Sequence, residues 1–117
     1  MREILFHRND GGSCPVEEFL DGLGPKQAQK VAWLLKLIKE LPLVPGQYLK
    51  KLEGTDNLWE VRAEFGGDAF RLLGFLESGN RIILTNGFAK KTQKTPDREI
   101  ELAAQRKRDY LRRKIRR

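Results

Sequence analysis

The sequence predicts an α+β domain in which a first strand and a helical hairpin precede an antiparallel meander and a closing helix. Three observations carry that prediction. Residues 58 to 65 alternate with the period of a strand, Trp59, Val61, Ala63 and Phe65 on one face, expected to be core, and Leu58, Glu60, Arg62 and Glu64 on the other, expected to be mostly wet. Residues 25 to 41 instead space Ala28, Val31, Ala32, Leu35, Ile38 and Leu41 by threes and fours, as a core-facing helix does. Thr95-Pro96 followed by Asp97, Glu99 and Glu101 opens a second helical stretch near the C-terminus. At 117 residues and 39% hydrophobic content the chain fits one compact domain, residues 1 to 117, able to bury a single core.

The first strand is expected over Arg2 to His7, around Ile4, Leu5 and Phe6, and Asn9-Asp10-Gly11-Gly12 turns it. Ser13 is the expected N-cap of a short helix with Pro15 in its first turn, Val16, Phe19, Leu20 and Leu23 on its apolar side, and Gly22 and Gly24 at its end. Pro25 opens the second helix and Pro42 stops it. A linker, Leu43 to Tyr48, with Pro45 and Gly46 leads to Leu49-Lys50-Lys51-Leu52, where the pattern becomes that of strands. After the strand at 58 to 65, Gly66-Gly67-Asp68 suits a tight hairpin and a further strand runs from Ala69 to Leu76. Glu77-Ser78-Gly79-Asn80 turns it into a last strand, Arg81 to Phe88. In the closing helix Ile100, Ala103, Ala104 and Leu111 share a face.

Composition removes several chemistries. Cys14 and His7 are each the only residue of their kind, so a cysteine metal cluster, a Cys-His nucleophile and a paired-histidine ribonuclease lack partners within one chain, and no cofactor is expected. The longest apolar stretch, Val31 to Leu41, is broken by Lys36, Lys39 and Glu40, and charges interrupt the N-terminus, so neither a membrane span nor a signal peptide is expected and the protein is expected in the cytoplasm. Residues 106 to 117 hold eight basic residues against one acid, which equals the +7 of the whole chain. Such a tail either attracts polyanions, a ribosome or a nucleic-acid duplex alike, or serves as a solubilising, partly frayed terminus.

The strings Lys50-Lys51-Leu52-Glu53-Gly54, Leu58-Trp59-Glu60-Val61-Arg62, Phe70-Arg71-Leu72 and Gly87-Phe88-Ala89-Lys90-Lys91-Thr92, then Gln93-Lys94-Thr95-Pro96, stand in an order that resembles the phage-derived HigB-like branch of the RelE/ParE toxin superfamily. The resemblance spans essentially the whole chain. It implies a RelE-like fold, a small twisted antiparallel sheet with an N-terminal helical hairpin and a C-terminal helix. It also implies the toxin of a type II toxin-antitoxin system: a ribosome-dependent messenger-RNA endoribonuclease held inactive in a hetero-oligomer by an antitoxin, a helix-turn-helix, HigA-like one in this branch. The ParE branch shares the fold and inhibits DNA gyrase without being an enzyme, so the fold leaves both readings open, together with an inert nucleic-acid-binding remnant.

Metal-independent cleavage of RNA through its 2′-hydroxyl needs a base for that proton and positive charge on the phosphorane-like transition state. Here lysine and arginine must supply both. With a two-residue loop at Gly66-Gly67, Arg62 stands opposite Arg71, and like charges so placed suit an anion better than they suit folding; a three-residue loop would send Arg71 to the other face. Glu60 and Glu64 offer both arginines ordinary ion-pair partners. Lys50 and Lys51 precede the meander and Lys90 and Lys91 leave it, and alternation lets at most one of each pair project into a shared groove. The resemblance favours Lys51 and Lys90 beside Arg62 and Arg71 as the catalytic set. Lys50, Phe88, Lys91, Lys94, Arg112 and Arg113 are the further candidates for RNA contact, although the position of Phe88 suits the core better. Trp59 is expected in the core, Trp33 at the core edge or on an antitoxin surface, Tyr110 in packing or as a proton donor, and His7 in a structural or surface role. The sequence departs from the better known RelE and HigB sets: no tyrosine directly follows the last strand and no Asp-Tyr-His triplet occurs.

Overall fold

A computed structural model describes residues 1–77 and 80–115; Ser78 and Gly79 of the expected turn, and Arg116 and Arg117 of the basic tail, lie outside the described residues. The chain runs β1 (Glu3–Phe6), α1 (Pro15–Asp21), α2 (Pro25–Glu40), β2 (Leu49–Lys51), β3 (Leu58–Phe65), β4 (Asp68–Glu77), β5 (Arg81–Lys90) and α3 (Asp97–Ile115). The α+β fold class is the expected one. Five strands form one sheet in the order β1-β5-β4-β3-β2. β2 through β5 pair antiparallel, and β1 adds a parallel edge against β5, Glu3 opposite Arg81 and Phe6 opposite Leu84.

The hairpin register follows from two glycines. Gly66 and Gly67 take φ of 60° and 87°, the positive values a primed two-residue turn requires, and close β3 on β4 with Phe65 opposite Asp68. Counting back from that turn puts Arg62 opposite Arg71. Further along, the ladder between β4 and β5 shifts between Leu73 and Gly74, and Thr85 is the extra residue. Its hydroxyl donates to the Leu73 carbonyl at 3.1 Å. Gly74 permits this close approach, since a Cβ there would stand 2.2 Å from the Ile83 carbonyl oxygen.

Both faces of the sheet are covered, which corrects the expectation that one face of β3 is mostly wet. The α1–α2 hairpin packs on one side, where Val16, Val31, Leu34 and Ile38 meet Val61, Ala63, Phe70 and Leu72. On the other side α3 lays Ile100, Ala103, Ala104 and Tyr110 over Leu58, Leu73, Phe75 and Ile83. Leu58 and Glu60 are therefore buried, whereas Trp59 is half-buried and Phe65, at the open end of the strand, is 38% exposed. The period of the alternation is the expected one, but a buried glutamate masks the second core face in a single sequence.

The helix ends explain two further corrections. Cys14, not Ser13, is the N-cap of α1, because the Ser13 hydroxyl accepts from the Asn9 amide at 2.9 Å. Thr95, expected as the N-cap of α3 with Pro96 at its first position, lies one residue further out: the Glu99 and Ile100 amides donate to the Pro96 carbonyl, and the Thr95 hydroxyl donates to the Glu60 carboxylate. Arg2 caps the far end of α2, its guanidinium donating to the carbonyls of Ile38, Leu41 and Pro42, where a cation also complements the helix dipole. Several of the tail cations hold α3 down: Arg106 donates to the Thr85 carbonyl, Lys107 to the Asp56 carbonyl, and Lys114 to the Glu77 carboxylate. No helix among the described residues is long and apolar enough to cross a membrane.

Candidate active site

On the α3 side of the sheet, beyond the end of that helix, the alternation of three strands brings polar residues together. β3 contributes Glu60, Arg62 and Glu64, β4 Arg71, and β5 Phe88 and Lys90. Arg71 is 4% exposed and Glu60 2%. Burial of this kind needs partners, because an isolated charge away from water is costly. Glu60 Oε1 lies 3.5 Å from Arg62 Nε and 3.7 Å from Arg71 Nε, while its other oxygen accepts from Thr95. Arg71 Nη1 donates to the Phe70 carbonyl at 2.9 Å. Its Nε is a buried donor without a hydrogen-bond partner, and burial, with Arg62 nearby, holds the group below the usual arginine range while Glu60 opposes the shift. Arg62, by contrast, keeps 30% of its side chain exposed and is free to meet a ligand.

Arg62, Glu64, Ala69, Arg71, Lys90, Lys91, Thr92 and Gln93 line one open groove at this end of the sheet. Within it Lys90 is a lysine whose charged form is disfavoured. Desolvation pushes its pKa down first, and the charges of Arg71, Arg62 and Lys50 push the same way against the pull of Glu60. A lysine poised in that way can hold a neutral amine at a pH where ordinary lysines are charged, the requirement for a general base. Among the described residues no cluster of three or more His, Cys, Asp or Glu side chains could hold a metal ion.

The sequence-derived candidates divide on this geometry. Lys50 stands opposite Glu60 and belongs to the same face, whereas Lys51 stands opposite Trp59 on the other face, so the structure joins Lys50 rather than Lys51 to Arg62, Arg71 and Lys90. Lys91 lines the groove. Phe88 is opposite Arg71 but packs against the α3-side core. Lys94 is exposed and pairs with Asp97 at 3.6 Å. Arg112 and Arg113 are not brought together with the others: Arg112 pairs with Asp109, and Arg113 reaches the Arg8 carbonyl at 2.8 Å beside β1, at the opposite edge of the sheet from β3. Tyr110 also lies away from the groove, edge-on to Phe75 with ring centres 5.6 Å apart, and His7 is buried beside it. Glu60 and Thr95 complete the cluster, and neither is among the sequence-derived site residues. The sequence signal for Glu60 is its place on the same strand face as Arg62, as an expected ion-pair partner; Thr95 gives none.

A family model described as phage derived protein Gp49-like (DUF891) matches residues 18–108, most of the chain and all four strands that carry the cluster. The chain belongs to the Gp49-like family. This is a RelE/HigB-like toxin family, associated with the toxins of toxin-antitoxin systems, so the Gp49-like chain has an antitoxin as its implied partner. No curated protein matches it.

Proposed function

We propose that this Gp49-like chain is a HigB-like messenger-RNA endoribonuclease that cuts on the ribosome without a metal and blocks translation. The observation that supports it best is the opposed pair Arg62 and Arg71 beside a lysine whose charge is disfavoured. Lys90 takes the proton of a ribose 2′-hydroxyl, and the freed oxygen attacks the adjacent phosphorus. Arg62 binds the phosphoryl oxygens as charge builds on them, an interaction that strengthens in the transition state. The bond to the 5′-oxygen then breaks, and that oxygen takes a proton from solvent. Arg71 is too buried to reach far into the groove; it positions Glu60 and Arg62, and its charge adds to the burial that lowers the pKa of Lys90. Lys50 and Lys91 attract the backbone on either side through charge.

The toxin is restrained by an antitoxin of the helix-turn-helix kind until it is released in the cytoplasm. The test is primer extension on a defined message in a purified translation system, with and without ribosomes, for the wild type and for Arg62→Ala and Lys90→Ala. Cuts that need ribosomes and vanish in both variants support the reading. An intact message alongside stalled DNA supercoiling would instead assign a gyrase inhibitor.

A further inference from the structure

A second cleft meets the first at the arginine pair. It is lined by Lys30, Leu34, Gln47 and Tyr48 together with Arg62, Glu64 and Arg71, and those last three also line the groove of Lys90. The cleft exists because β2 is short. It pairs with β3 only from Trp59 to Val61, and beyond the bond from the Arg62 amide to the Tyr48 carbonyl at 2.8 Å no strand among the described residues pairs with that edge of β3. The N-terminal half of α2 stands over that open end, with the Gln27 amide donating to Asp68 at 3.3 Å.

Tyr48 and Lys30 of the cleft wall both touch Trp33, which stands beside the cleft. Trp33 is 48% exposed on α2 and contributes little to either core. The Lys30 ammonium sits 4.6 Å from the centre of its ring, and Tyr48 meets it edge-on at 6.3 Å with an interplanar angle of 87°. A cation, an aromatic ring with a second ring beside it, a side-chain amide and the two arginines, with the Glu64 carboxylate among them, therefore border one space. Stacking surface for a base, positive charge for its phosphate and an amide able to pair with a base edge are what an unpaired nucleotide needs, and an acidic peptide would leave the rings unused.

We propose that this cleft is a second nucleotide subsite, which holds an unpaired nucleotide of the same RNA strand next to the one cleaved at Lys90. Tyr48 and Trp33 take the base, Lys30 its phosphate, and Gln47 reads its edge. The proposal rests on the nuclease reading, and it gives the arginine pair a second task as the bridge between consecutive nucleotides.

The experiment uses a short single-stranded oligoribonucleotide, 2′-O-methylated throughout so that it cannot be cut. In a Trp59→Phe background Trp33 is the only tryptophan, and its fluorescence is expected to quench saturably and with strong salt dependence. The reciprocal protein, Trp33→Phe, keeps Trp59 and is expected to show no quenching. Tyr48→Ala and Lys30→Ala should each weaken binding by roughly tenfold and redistribute the cut positions on translated messages. Lys90→Ala should stop cutting and leave the quenching intact. If the Tyr48 and Lys30 variants bind and cut as the wild type does, the subsite is overturned while the nuclease stands. If they do so but no longer capture the antitoxin, the cleft is a protein interface and the proposal is likewise overturned. Saturable quenching with no cleavage by the wild type removes the nuclease reading instead, and leaves the cleft as an RNA-binding site.

Discussion

Arg62 and Arg71 stand opposite each other in the β3–β4 ladder and share one carboxylate, with Glu60 Oε1 3.5 Å from one Nε and 3.7 Å from the other. Two guanidinium groups so placed repel, and the buried glutamate between them is what lets the sheet close. Removing its charge by Glu60→Gln leaves Arg71 buried and uncompensated, for an expected loss of about 3 kcal/mol in denaturant unfolding. The same change should also drive Lys90 further below its ordinary range, since Glu60 is the charge that raises it.

The two arginines should separate stability from activity. Arg62→Ala removes a half-exposed partner and should cost less than about 1 kcal/mol of stability, yet lower the cleavage rate by roughly a hundredfold or more, as loss of a transition-state donor does. Arg71→Ala should lower the melting temperature markedly, because Glu60 is then left buried with fewer partners. Equal loss of stability in the two variants would contradict the division of roles.

A base held below its ordinary range leaves a mark in the pH profile. Cleavage should rise with pH through the lowered pKa of Lys90 and level off above it. Since Arg62 pushes that pKa down, Arg62→Gln should move the rising limb to higher pH in whatever activity remains. A limb that stays in place would remove Lys90 as the group observed.

The anchoring of α3 predicts a response to acid. The Glu77 carboxyl is held below the usual carboxylate range, first by Lys114, then by Tyr110 and Arg81, against the effect of burial. A carboxyl depressed in the folded state stabilises it fully above its unfolded pKa, and that contribution is lost as pH falls through the lower folded value. The C-terminal turns of α3 should therefore loosen below the ordinary glutamate range, and hydrogen exchange at residues 108 to 115 would show it. Glu77→Gln should bring the loosening to neutral pH.

The glycine at the ladder shift offers a test of the sheet itself. Gly74→Ala places a Cβ against backbone at 2.2 Å and should prevent the fold from forming. Gly87→Ala meets the side chains of Phe19 and Leu72, at 2.5 and 2.6 Å, and rings can shift, so a loss of about 1–3 kcal/mol is expected. Soluble yield and thermal melting distinguish the two.

These predictions rest on features that are unequally legible in the sequence. Gly66-Gly67 announces a two-residue turn, and once the turn is set the register is arithmetic, so the opposition of Arg62 and Arg71 is legible in the residues themselves. The choice between Lys50 and Lys51 is not. It depends on where a three-residue strand begins its alternation, and no glycine or proline fixes that frame. Glu60 has the look of a solvated residue because its burial is caused by Arg71, Arg62 and Thr95, the last 35 residues away. The basic tail reads as one unit, yet its cations serve different ends: Arg106, Lys107 and Lys114 tie α3 to the sheet, and Arg113 reaches across to β1.

The parallel edge strand has a consequence for how the chain is made. Residues 3 to 6 find their partners at 81 to 84, so the first strand synthesised waits for most of the chain before it can pair. Until then the apolar residues of the helical hairpin have no sheet to cover. A ribosome making this protein therefore carries a nascent chain that cannot close its fold before the last strand emerges. The groove of Arg62, Arg71 and Lys90, built on β3 to β5, likewise assembles only after most of the chain has been made.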